Sequence, residues 1–104
     1  MSYSLTPQAR ADLNDIRTWY REHRSTATAR KVMQDLREQF RRVARTPAIG
    51  RPREELAPDH PHLFFWPHRR FLIIYNPETS PLQIYRIWDA SRGDPELDES
   101  GNGA

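Results

Sequence analysis

Arg70-Phe71-Leu72-Ile73-Ile74-Tyr75 and Leu82-Gln83-Ile84-Tyr85-Arg86-Ile87-Trp88, parted by Asn76-Pro77-Glu78-Thr79-Ser80-Pro81, decide the fold. Both runs are short and rich in β-branched and aromatic residues, and the insert carries two prolines, so they read as antiparallel strands joined by a turn. Leu63 to Trp66 is a third such run, linked through Pro67-His68, and three consecutive strands with short links form a meander. Upstream the period changes from two to 3.6. Ala9, Leu13, Ile16 and Tyr20 form one stripe behind Thr6-Pro7, an N-cap followed by proline at the first helical position, which predicts a helix over about Pro7 to His23. Ala29, Val32, Met33, Leu36, Phe40 and Val43 form the stripe of a second helix, capped by Ser25 or Thr26 and stopped near Arg45 by Pro47. With Tyr3 to Leu5 as a short first strand, the order is β-α-α-β-β-β: an α+β domain with a helical hairpin on one face of a small, mainly antiparallel sheet.

The rest of the chain reads as connection. Residues 47–61 hold four prolines and Gly50 without a helical or strand period, and are expected to meander. Residues 1–94 make one domain, and 95–104, polar with a single leucine, are expected to be a disordered tail. By strict alternation, Leu82, Ile84, Arg86 and Trp88 share one face of the last strand, and Gln83, Tyr85, Ile87 and Asp89 the other. Since helices cover one side, the other is expected to be left for a partner or substrate.

Composition narrows the chemistry. The 104 residues are 37% hydrophobic and 29% charged, with eleven aromatics (three Trp, four Tyr, four Phe), enough for one small core. The absence of cysteine removes thiol catalysis, thiolate metal sites and disulfides, and fits the cytoplasm. No apolar run approaches membrane-spanning length, and the N-terminus has no signal-peptide pattern. Of sixteen basic residues, fifteen are Arg, against one lysine, Lys31. Arginine clamps anions in a bidentate fork but stays protonated, so these side chains are not general bases.

These features together resemble the RelE/ParE superfamily, toxins of bacterial type II toxin-antitoxin modules. The resemblance runs through Leu5-Thr6-Pro7, Ala9 and Asp12-Leu13, then Ala29, Leu36 and Pro47. It continues through Gly50-Arg51-Pro52-Arg53-Glu54-Glu55-Leu56, Arg70 to Tyr75, and Ile84 to Trp88 followed by Arg92. The Gly50 to Leu56 run brings it nearest to the ParE branch. The resemblance implies a growth-arresting toxin of the kind that stabilises plasmids, neutralised by a cognate antitoxin in a hetero-oligomer. ParE-like members inhibit DNA gyrase by protein contact; RelE-like members are ribosome-dependent mRNA endoribonucleases; a third reading is a toxin-fold relic that only binds partners.

Messenger RNA cleavage needs a base, an acid and a cation for the phosphorane. Arg51, Arg53, Arg70 and Arg86 suit the last role, and in a ribonuclease Arg53, Arg70 and Arg86 would be catalytic, yet no Tyr or His follows Tyr85. His60, His62 and His68 read as exposed loop histidines. Asp59, His60 and His62 are a poor metal set, and no metal or cofactor is expected. The residues expected to contact a target or antitoxin are Arg51, Arg53, Arg70, Arg86, Trp88 and Arg92. Arg86 either ties the long loop to the sheet through Glu54 or Glu55, or recognises an anion. Arg30, Arg37, Arg41 and Arg45 lie close to one face of the second helix, as a solvated row or a surface for an acidic partner.

Overall fold

The computed structural model describes residues 2–95 and Leu97. β1 (Tyr3–Leu5) leads into α1 (Pro7–His23), and a two-residue link precedes α2 (Thr26–Arg45). A 3-10 turn (Pro47–Ile49) then leads to β2 (Arg51–Pro52), β3 (Phe64–His68), β4 (Phe71–Asn76) and β5 (Leu82–Asp89), and a second such turn spans Ala90–Arg92. The sheet order is β1-β5-β4-β3-β2, antiparallel except where β1 runs parallel to β5. Two helices on a mostly antiparallel five-stranded sheet make an α+β fold, as the alternating and helical periods predict.

Both helices start where their caps dictate. Thr6 Oγ1 accepts from the Ala9 N–H at 3.0 Å and Ser25 Oγ from the Thr28 N–H at 3.0 Å, each satisfying one orphan donor of a first turn. The predicted stripes then face inward. Ala9 and Leu13 of α1 join Met33, Leu36, Phe40 and Val43 of α2 over Phe71, Ile73, Tyr75, Leu82, Ile84 and Ile87 of the sheet. At about 1.5–3 kcal/mol for each large side chain buried, this cluster is the main stabilising term. Gln39, outside the apolar stripe, is also buried because its Oε1 accepts from Trp66 Nε1 at 2.8 Å.

Two sequence expectations are corrected. The stretch after Gly50 does not meander away from the sheet. Hydrogen bonds from Leu56 N and Ala57 N to Arg53 O, from His60 N to Ala57 O and from Leu63 N to His60 O wind it into successive turns. Ala57 and Leu63 thereby cover Phe65, Ile74, Tyr85 and Trp88 in a second apolar cluster, joined by Leu56, Leu72 and Leu97. The sheet face opposite the helices is therefore closed by the protein's own chain rather than left open. The second correction concerns alternation in β5. Ile74 pairs with Arg86 but Tyr75 with Ile84, so Tyr85 is the extra residue of a β-bulge. Leu82, Ile84 and Ile87 accordingly face the helices, while Tyr85 and Trp88 face the loop.

β3 also runs past its expected end, through Pro67 to His68. β2 pairs only with Phe64 and Phe65, so Pro67 lies where β3 has no outer neighbour and proline is tolerated. Of the segment expected as a tail, Pro95 is buried and Leu97 packs on the second cluster; Glu96 and residues 98–104 lie outside the described residues.

Candidate functional site: one arginine-lined groove and one aromatic cleft

β1 is only three residues long, so β5 outruns it, and the start of α1 takes over its ladder. Thr6 N donates to Ile84 O at 3.1 Å and Thr6 Oγ1 to Tyr85 O at 2.7 Å. Next, Asp12 Oδ2 accepts from the Ile87 N–H at 3.0 Å. The same carboxylate holds Arg86 in a fork, Nε to Oδ2 at 2.6 Å and Nη2 to Oδ1 at 2.9 Å. Arg86 is thus tied to Asp12 of α1, not to Glu54 or Glu55 of the loop. Its partner lies 74 residues away and meets it only because β1 returns alongside β5.

The other expected residues divide between two regions. Arg70, in the tight turn between β3 and β4, donates through Nη2 to Asp89 Oδ2 at 2.8 Å and to Ser91 Oγ at 3.3 Å. Burial pushes the Asp89 carboxyl up, but the hydrogen bonds from Arg70 and Ser91 outweigh it and hold the group below its ordinary range. Asp89 Oδ1 also accepts from Ser91 N at 2.9 Å, shaping the 3-10 turn that carries Arg92. Trp88 is buried, donates from Nε1 to Gly93 O at 2.8 Å, and has the guanidinium carbons of Arg92 at 5.2 Å and Arg86 at 6.0 Å from its ring centre. Arg51 shares a cross-strand row with Phe65, Ile74 and Arg86, which places it three strand spacings, about 14 Å, from Arg86. Arg53 is exposed and closes on Glu55 at 2.5 Å. Of Arg51, Arg53, Arg70 and Arg86, the concavities described below include Arg70 alone.

Two of the three histidines also differ from expectation, while His62 is exposed in a turn as expected. His60 is buried, its ring 5.7 Å from that of Tyr85, with no hydrogen-bond partner at Nε2 among the described residues. His68, at the end of β3, places Nε2 2.8 Å from Asp35 Oδ2. Among the described residues no three His, Asp or Glu side chains converge as a metal would require.

Two concave regions flank α1 among the described residues. The larger, about 760 Å³, lies between the hairpin and the outer edge of β1; Tyr3, Leu5, Leu13, Met33 and Phe40 line it together with Arg10, Arg17 and Arg37. It continues into a smaller hollow ringed by Arg17, Arg21, Arg30 and Arg37 over Ala29 and Met33. None of these five arginines has a carboxylate partner among the described residues. The row expected on α2 is therefore split, since Arg41 and Arg45 turn instead to Glu38. The second concavity, about 360 Å³, lies on the other side of α1, between Asp15, Ile16, Trp19 and Tyr20 and the group Arg70, Phe71, Asp89, Ser91 and Arg92. Sequence reasoning passed over Trp19, Arg10 and Arg17. The available signals were an aromatic just off the α1 stripe and two arginines seven residues apart on one helical face.

A short parallel β1 locked to β5, an α-hairpin on one face and a bulged strand joined to α1 through Asp12 and Arg86 define a small α+β protein with concave surfaces on two sides of α1. Residues 3–93 match the family model described as the ParE toxin of type II toxin-antitoxin system, parDE, and the chain belongs to that family. No curated protein matches it. Among solved structures it is similar to a chain of the chromosomal ParDE TA system from P. aeruginosa, at 26% identity and a TM-score of 0.68 over 84% of this chain and 92% of that one. The chain is thus a type II toxin of the ParE branch, as the Gly50 to Leu56 run and the strand motifs implied.

Proposed function

We propose that this toxin acts in the cytoplasm by inhibiting DNA gyrase through protein contact, and that a cognate antitoxin neutralises it. The observation that carries this reading is the internal engagement of the cations a nuclease would aim at phosphate: Arg86 on Asp12, Arg70 on Asp89 and Arg53 on Glu55. A guanidinium already forked by a carboxylate is a poor stabiliser of a phosphorane, and of the loop histidines that could transfer a proton His60 is buried and His68 is tied to Asp35, leaving His62 exposed. The arginine-lined groove supports the second half of the reading. Its apolar floor and unpaired cations fit an amphipathic segment bearing Asp or Glu, which gains both area and charge-assisted hydrogen bonds.

Tightly controlled expression of the toxin alone tests this. The expected outcome is loss of supercoiling and gyrase-dependent DNA breaks while translation continues, reversed by co-expressing the antitoxin. Cleaved messages in a ribosome-containing extract would replace the reading with a nuclease, and unimpaired growth would replace it with an interaction-only protein.

A further inference from the structure

The groove and the cleft lie on different sides of α1, so one helix presents two independent surfaces. We infer that the cleft is where the toxin grips its target, and that it receives a protein segment carrying an apolar or aromatic side chain beside a carboxylate. This rests on the reading of the chain as a protein-contact toxin and adds the surface and the chemistry of the contact.

Three observations carry it. Trp19 is the large hydrophobic residue left exposed, at 40%, among the described residues, and it stands at the mouth of a concavity walled by Tyr20 and Phe71. Exposed tryptophan beside arginine is the composition that concentrates binding energy in protein interfaces. Arg92, the second element, has no carboxylate partner among the described residues. It is nevertheless held in place, lying on Trp88 within a turn fastened by Asp89, Ser91 and Arg70, so little freedom is lost when it meets an acid. The third is charge. Arg70 and Asp89 neutralise each other, leaving Arg92 and Asp15 as the open cation and open anion of the rim, a pattern that sets the register of an acid and a donor on the incoming segment.

The same features disfavour a nucleic acid. His23 stacks on the Trp19 ring at 4.5 Å and 12°, and Arg70 approaches that ring at 5.7 Å, so no bare platform is offered to a base. Asp15, the open anion of the rim, repels phosphate. A volume of about 360 Å³ takes one or two side chains rather than a whole helix, and is less than half the 760 Å³ of the groove.

The test compares the full-length toxin with its Trp19→Ala and Arg92→Glu variants, and with Arg37→Glu in the groove. Growth arrest on induction, inhibition of purified gyrase, affinity for the antitoxin and thermal melting are read for each. Trp19→Ala and Arg92→Glu are expected to weaken growth arrest and gyrase inhibition by about 10-fold or more, with antitoxin affinity changed by less than about 2-fold and melting unaltered. Full-strength arrest by both cleft variants overturns the inference while leaving the gyrase reading intact. Arrest by the native toxin without any effect on gyrase, still lost on Arg92→Glu, removes the gyrase reading and sustains the cleft. Absence of arrest by the native toxin removes both. Should Arg92→Glu melt early, Arg92→Gln keeps the turn uncharged and serves in its place, with the same expected loss.

Discussion

Asp12 accepts hydrogen bonds from Arg86 Nε, Arg86 Nη2 and the Ile87 N–H, and both members of the ion pair are more than four-fifths buried. Asp12→Ala strands a cation and a backbone donor together, and should cost about 2–4 kcal/mol. Arg86→Lys keeps the charge but loses the fork, so it should cost less; chemical denaturation of the two variants checks the order. Gly50 gives a second prediction of a different kind. Its N–H donates to Tyr75 Oη at 2.9 Å while that hydroxyl donates to Pro47 O at 2.6 Å. A Cβ on Gly50 would stand 2.6 Å from Tyr75 Oη and 2.9 Å from Phe65 O. Gly50→Ala should therefore destabilise by about 1–3 kcal/mol through crowding alone, since its backbone is in an ordinary extended conformation. Adding Tyr75→Phe removes one of the clashing atoms, so the two losses should sum to more than the double variant shows. The Gly50 to Leu56 run was visible in the sequence as a motif; the hydroxyl that requires its glycine comes from β4, and no local pattern announces it. Asp12 was likewise visible as part of a motif, but its pairing with Arg86 was hidden for the same reason, the two being 74 residues apart.

At the scale of elements, the join between the β3–β4 turn and the end of β5 depends on Arg70 and Asp89. Asp89 has its folded pKa lowered by these bonds, so its contribution is fully present above the unfolded carboxylate pKa of about 3.9 and is lost as pH falls through the folded value. Asp89→Asn should flatten the acid limb of a stability-versus-pH curve below about pH 4, and should cost at most about 1 kcal/mol at neutral pH because the pair is partly solvated. The helices were legible because 3.6-residue stripes and Ser or Thr caps repeat a strong local signal, at Thr6 and again at Ser25. The bulge was not, because inserting Tyr85 changes which face each later residue occupies without changing residue type. Nor was the loop's cover of the second face, since Leu56, Ala57 and Leu63 are too few and too irregularly spaced to show a period.

For the whole molecule, the unpaired arginines dominate. The chain's formal net charge is only +2, but the hairpin groove gathers Arg10, Arg17, Arg21, Arg30 and Arg37 without internal acids. Replacing Arg17 and Arg37 together by Glu should weaken antitoxin binding by about 10²-fold at low salt, and by less as ionic strength rises and screening shortens. Titration calorimetry at two salt concentrations measures both effects. An equal loss at every salt concentration would mean that shape rather than charge governs the groove. No helix of the described residues is long and apolar enough to cross a membrane.

The parallel pairing of β1 with β5 also constrains the molecule while it is being made. The first strand is synthesised well before the strand that completes its ladder and the arginine that Asp12 holds, which come about eighty residues later. At about 5–20 residues per second, that is a wait of roughly 4–16 s during which the α-hairpin has no finished sheet to lie on. A message broken anywhere before the codons for β5 therefore yields a polypeptide that cannot close its core, and translation that stops early yields no poison.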